Sequence, residues 1–249
     1  MSHISECIVT SKCSRLHGWQ VNDRHIYNHA IYDHVGMIDS APKLLASTTH
    51  EQRQVLLIID VQNDFCAGGA LAVPDSNAIV PLINQFSAHF AHVICTQDWH
   101  CPGHISFASS HPGKKLYETI ETQSGAQMLW PDHCVANTHG AEFDGQLDRV
   151  RSEFVVRKGT HKNLDSYSAF LENDKITHTG LHEYLQQREL TSLFLVGLAT
   201  DYCVAFTALD ARKLGYKTTM LQAACRAIDM NGSLERACER MDKVGVSRL

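Results

Sequence analysis

A chain of 249 residues, 44% hydrophobic and 20% charged, is long enough to bury a full core and reads as a globular protein. Its formal net charge of -5 offers no broad basic field for nucleic-acid phosphates, and no apolar run approaches the roughly 20 residues that span a bilayer. The opening MSHISECIVT lacks a basic region followed by a long apolar stretch, so no secretion signal is read and a cytoplasmic protein is expected.

The first ~50 residues hold six of the 16 histidines (His3, His17, His25, His29, His34, His50) without a sustained helix or strand period. Residues 1–52 are therefore expected to be a poorly ordered extension, and 53–249 the working domain. Met37 offers an alternative translation start; N-terminal sequencing of native protein tests this, and a product beginning at Met1 sinks it.

Order is expected from Val55. The run VLLII (55 to 59) ends at Asp60 and has the continuous apolar character of a buried parallel strand. A helix follows over about 77–90, then a strand at 93–96 ending before Gln97-Asp98. Residues 101–150 are rich in Pro, Gly, His and Ser with little periodicity, which predicts a long functional loop region with small local elements. Further strands are expected at 154–156, 193–197 and 217–221, with helices near 181–188, 201–214 and 233–243. Gly215 marks one helix stop. Strands alternating with helices give an α/β fold, a three-layer α/β/α arrangement around a mainly parallel sheet. Ligands of such sheets bind outside the carboxyl ends of the strands, where Asp60, Asp98, Lys158 and Cys203 all fall.

Cys203, in GLATDYCV, lies in the first turn of its expected helix. The positive end of the helix dipole favours a thiolate, and the free N–H groups of that turn suit an oxyanion. Asp60 could serve as its base and Lys158 as the cation between them. The plainer alternatives are a turn-capping aspartate and an exposed lysine before Gly159. Asp98 and His100 stand two apart on one face of an extended segment, with His104 and His133 further on. Such carboxylate and imidazole donors suit Zn²⁺, Fe²⁺ or Mn²⁺, although a histidine-rich chain also produces a chance Asp-x-His. His111, His139 and His161 read as surface residues. The nine cysteines are scattered, odd in number and without CxxC pairs; most are expected to be reduced, buried thiols. Cys101 and Cys134 lie near the proposed ligands but are left out of the site.

Taken together, IDVQNDFCAGGALAV (59–73), QDWH (97–100), LWPDHC (129–134), RKG (157–159), DSYSAF (165–170) and GLATDYCV (197–204) resemble the bacterial nicotinamidase (pyrazinamidase) family of the isochorismatase-like hydrolases. The likeness runs from about Val55 to Gly245. It implies Asp60 as general base, Lys158 as triad lysine and Cys203 as nucleophile. It also implies an oxyanion hole from the amides of Ala199 and Cys203, with a cis peptide at Leu198–Ala199. Phe65 and Trp130 would hold a pyridine ring. Asp98, His100 and His133 would hold one divalent metal, zinc by preference with iron or manganese as alternatives, and His104 matches a fourth ligand used in some members. The implied reaction is hydrolysis of nicotinamide, and of pyrazinamide, through a cysteine thioester in NAD salvage. The metal would bind the ring nitrogen. The substrate is the expected partner, with no nucleic acid or membrane, and the chain would work as a monomer or small homo-oligomer. Rival readings are a related hydrolase of a carbamoyl or ureido amide, an inactive metal-binding homologue, and a thiol redox sensor. Two departures stand out: the extension has no counterpart in the family pattern, and the end at VGVSRL should leave a short last strand.

Overall fold

The computed structural model describes residues 53–249; the expected extension over 1–52, with Met37 and its six histidines, lies outside the described residues. The apolar run at 55–59 forms β1 (Gln54–Ile59), buried along its whole length as a strand covered on both faces must be. Strands β2 (His92–Asp98), β5 (Ser152–Lys158), β6 (Ser192–Leu198), β7 (Lys217–Arg226) and β8 (Ser247–Arg248) join it in the order β5-β2-β1-β6-β7-β8. Every pairing in this sheet is parallel. The expected short last strand is indeed two residues long.

The chain builds outward from β1 through β2 to β5, then returns to lay β6 against the other side of β1. The order reverses between β1 and β6, and a crevice opens at their carboxyl ends. Gly197 allows those two strands to meet closely: a Cβ there would lie 2.1 Å from the Ile59 carbonyl oxygen, and its φ is +116°.

Helices α1 (Val80–Ser87), α2 (Leu181–Gln187), α3 (Ala205–Lys213) and α4 (Ser233–Lys243) accompany the sheet. The helix expected over 77–90 is in fact a 3₁₀ turn, Ser76–Ile79, leading into α1, whose first turn carries Pro81 where a missing N–H costs little. The helix expected from 201 is likewise divided. A π turn, Thr200–Val204, precedes α3, and Gly215 at φ +90° follows its end. Apolar side chains from β1, β6, α2, α3 and α4, among them Leu57, Leu195, Leu185, Ala208 and Met241, close one core.

Between β2 and β5 the chain makes the long excursion expected there, and one of its small local elements is a hairpin, β3 (Thr119–Thr122) and β4 (Gly125–Met128), which the sequence did not place. Only Gln127 in the hairpin is buried, so apolar alternation never announced it. Among the described residues no helix is long and apolar enough to cross a membrane.

Candidate active site

Lys158 closes β5 with its side chain wholly buried. Its Nζ lies 2.9 Å from Asp60 Oδ2 and 3.3 Å from Cys203 Sγ, makes a very short contact with Asp98 Oδ1, and donates to the Ser166 carbonyl at 3.2 Å. Burial alone would drive such an ammonium towards neutrality, but the charges of Asp60 and Asp98 outweigh it and hold the lysine protonated well above its usual range. Four strand ends are thereby tied together: β1 through Asp60, β2 through Asp98, β5 through Lys158, and β6 through the turn carrying Cys203.

Asp60 sits just past β1 at φ 47°. Thr96 donates its hydroxyl to Asp60 Oδ1 at 2.6 Å, which leaves Oδ2 facing the lysine. Burial raises the Asp60 carboxyl above its ordinary value, Lys158 pulling only partly the other way. The Cys203 thiol departs from the expectation of a helix-activated thiolate. Burial pushes it well above the usual thiol range; Lys158 opposes this, while Asp60 and Asp98 add to it. The site thus keeps a proton on sulfur at rest and sets a carboxylate of raised basicity beside it. Donor atoms of Asp60, Asp98 and Cys203 all fall within 4.8 Å of one another.

Asp98 also faces two imidazoles. Its Oδ2 is 3.6 Å from His100 Nε2 and 3.9 Å from His133 Nε2. The second nitrogen of each ring meets a carbonyl, His100 Nδ1 at 3.0 Å from Gly159 O and His133 Nδ1 at 2.7 Å from Pro131 O. A carbonyl can only accept, so both Nδ1 atoms carry hydrogen there, and both Nε2 atoms face Asp98, the positions from which a metal would be bound. Burial and neighbouring His100 hold His133 down at about 4, neutral as a ligand must be. Asp98 is held well below the carboxylate range: burial works against this, but Lys158 and His100 outweigh it. One carboxylate and two imidazoles converging on a buried face fit a divalent ion with positions left open.

Neighbouring residues fix this set. Gln62 grips Asp98 from both sides, accepting from its N–H and donating to its carbonyl, each at 2.8 Å. Asp64 accepts the Cys134 N–H at 2.7 Å and so pins the turn that carries His133. At Gly159 (φ +62°) a Cβ would come within 2.4 Å of the His100 ring. His104 takes a different place: it stacks on His100 at 4.2 Å, with Nδ1 2.7 Å from Ser106 Oγ and Nε2 3.2 Å from Leu164 O. It groups with His100 and Asp165, whereas Asp98, His100 and His133 form the other cluster. His139 and His161 are surface residues as expected, with side chains 85% and 59% exposed. His111 is half-buried, its Nε2 2.8 Å from the Ile105 carbonyl.

Beside both groups lies a pocket partly open to solvent. Phe65, Trp130, Ala199 and Cys203 line it. The Leu198–Ala199 peptide is cis, as the motif suggested. Sequence reading missed Asp165, Tyr167, Tyr202 and Ile228, which also line it. The first two stand inside DSYSAF and Tyr202 beside the nucleophile, so their only signal was membership of a motif. The Trp130 indole donates to Tyr167 Oη at 3.0 Å, and its ring meets Tyr202 edge-on at 4.9 Å. The result is a slot to which Phe65, Trp130, Tyr167 and Tyr202 contribute aromatic rings, with the thiol and the metal-ligand set also in its lining.

A family model described as "Isochorismatase domain" matches residues 54–247. The nicotinamidase of Acinetobacter baylyi is 49% identical over 194 residues, 78% of this chain and 91% of that protein. Among solved structures, a nicotinamidase/pyrazinamidase of Acinetobacter baumanii is 51% identical with a TM-score of 0.79, covering 80% of this chain and 96% of its own. The pyrazinamidase of Pyrococcus horikoshii in complex with zinc is 33% identical with a TM-score of 0.65, covering 79% of this chain and 98% of its own.

Proposed function

The chain belongs to the isochorismatase-domain family, and on that premise we infer that it hydrolyses nicotinamide to nicotinate and ammonia, with Cys203 as nucleophile. One observation carries the reading: a single buried ammonium, Lys158, touches the thiol, its base and the carboxylate of the metal-ligand set. Pyrazinamide, whose ring also offers a nitrogen, fits the same slot, and the reaction serves NAD salvage.

In the first half of the reaction Asp60 takes the proton from Cys203 Sγ, and the sulfur attacks the carboxamide carbon. Lys158 stabilises the charge that passes between the two. The oxyanion is met by the backbone amides of Ala199 and Cys203. The C–N bond then breaks as Asp60 returns its proton to nitrogen, so ammonia leaves and a thioester remains. In the second half a water gives its proton to Asp60 and adds to the thioester carbon. The C–S bond breaks, the proton on Asp60 restores the thiol, and the acid departs, releasing its remaining proton to solvent as nicotinate.

Phe65, Trp130 and the neighbouring tyrosines hold the ring flat, which selects aromatic amides. Asp98, His100 and His133 would hold a divalent ion, zinc being well suited to these donors, with His104 as an additional neighbour; such an ion would supply Lewis acidity that draws electron density from the amide.

The test is ammonia release from nicotinamide by the purified protein beside Cys203→Ala, before and after chelation with metal added back. Expected are a loss of about 10⁴-fold or more in the variant and a chelation-sensitive activity that returns with metal. Folded, metal-loaded protein that leaves nicotinamide intact defeats the substrate assignment and points to carbamoyl or ureido amides.

A further inference from the structure

Gln127 belongs to none of the motifs above and does not line the cavity, yet it is 4% exposed on a hairpin that otherwise faces solvent. Its side-chain amide donates to Asp165 Oδ2 at 2.7 Å and to the Met128 carbonyl at 2.8 Å, and lies 3.4 Å from Tyr167 Oη. Tyr167 in turn accepts the Trp130 indole N–H. Asp165 is also 4% exposed; its other oxygen accepts the Ser166 N–H at 2.9 Å. A buried carboxylate needs donors, and Gln127 brings one from a different part of the chain. A weaker tie joins the hairpin to the nucleophile's neighbour, Tyr202 Oη lying 3.7 Å from Met128 Sδ.

We propose that Gln127 is a positioning residue: it latches the β3–β4 hairpin to Asp165 and to the Tyr167–Trp130 pair, and so sets the slot that receives the aromatic ring. This rests on the nicotinamidase reading for the identity of that ring. Gln127 acts through its neighbours, touching neither the thiol nor its base. Asp60, Lys158 and Cys203 are held instead by strand ends in the central sheet. Losing the latch therefore loosens ring binding while sparing the chemistry.

Two near-isosteric variants test this. Gln127→Glu replaces the donor by an acceptor facing Asp165, and Gln127→Met keeps the volume without polarity. Expected for Gln127→Glu is a KM for nicotinamide about tenfold higher with kcat within about threefold of wild type, and a smaller rise for Gln127→Met. Hydrogen–deuterium exchange on the same proteins should show amides of 119–128 exchanging about tenfold faster, with β1, β2 and β6 unchanged. A KM within twofold of wild type in Gln127→Glu overturns the proposal. So does a fall in kcat that matches the rise in KM and comes with faster exchange across the central sheet. Wild-type protein inactive on nicotinamide defeats the substrate reading by itself, and hairpin exchange then decides the latch: faster exchange confined to 119–128 upholds it, and unchanged exchange removes it.

Discussion

The six-stranded sheet and the excursion between β2 and β5 contribute to one site in opposite ways. The sheet pairs Asp98 with Lys158 at the ends of β2 and β5 and carries Asp60 just past the end of β1, where its N–H donates to the Thr96 hydroxyl. The excursion supplies His100, Trp130 and His133 from irregular chain, held by a patchwork of side-chain contacts such as Asp64 to Cys134 N–H and Gln127 to Asp165. On the proposed reading, the groups that exchange protons stand on or just beyond the sheet; apart from Asp98 and Phe65, the groups proposed for the ring and the metal come largely from the part that sequence change can reshape.

The largest expected effect strikes the sheet side. Lys158→Met leaves Asp60 and Asp98 buried without their shared cation, and removing one member of a buried charge cluster typically costs about 3–5 kcal/mol. Thermal unfolding should record that loss, and ammonia release should fall by about 10³-fold or more. A variant as stable as wild type would mean that the sheet does not hold these charges as a unit.

A smaller effect is expected where the two regions touch. Gly159 ends the β5 side of the site, and its carbonyl fixes the His100 ring. Gly159→Ala adds a Cβ 2.4 Å from that ring at a φ of +62°, so the ring must shift. Metal affinity should weaken about 10- to 100-fold by titration against a competing chelator, with the fold retained by circular dichroism. Unchanged affinity would show that the ligand set tolerates movement of the excursion.

The same division governs what the sequence made legible. VLLII at 55–59 and LFLVG at 193–197 declare buried strands because both faces are covered, and the residues just beyond them fall at the site by topology alone. The excursion has no such period. His133 and Trp130 were found through LWPDHC, a motif, while Gln127 and the hairpin carrying it had neither motif nor alternation. The thiol's raised pKa was out of reach for a related reason: the helix end that favours a thiolate is visible in sequence, but complete burial between two carboxylates is not.

The smallest effect concerns an acid that the reaction does not use. Glu172 lies beyond β5, 3% exposed, with Oε2 unpartnered and Oε1 3.8 Å from the exposed His161 ring. Burial, with help from Asp165 and Asp98, lifts its carboxyl from the usual 4.5 to about 7, against the pull of Lys158 and the Gly159 amide. A raised acid binds its proton more tightly in the folded chain than in the unfolded one. Its contribution to stability is therefore full below about pH 4.5 and declines as pH rises towards 7, where the folded carboxyl ionises. Glu172→Gln cannot ionise and should lack that decline. Denaturant unfolding of both proteins from pH 4 to 8 isolates the difference, since every other group titrates in both. The variant should gain on wild type as pH rises across this window, and parallel curves would mean that Glu172 titrates as an ordinary solvated acid. Because Glu172 stands behind the Lys158–Gly159 corner and not in the ring slot, kcat/KM of the variant at its own optimum should stay within about threefold of wild type, separating the support of the site from its chemistry.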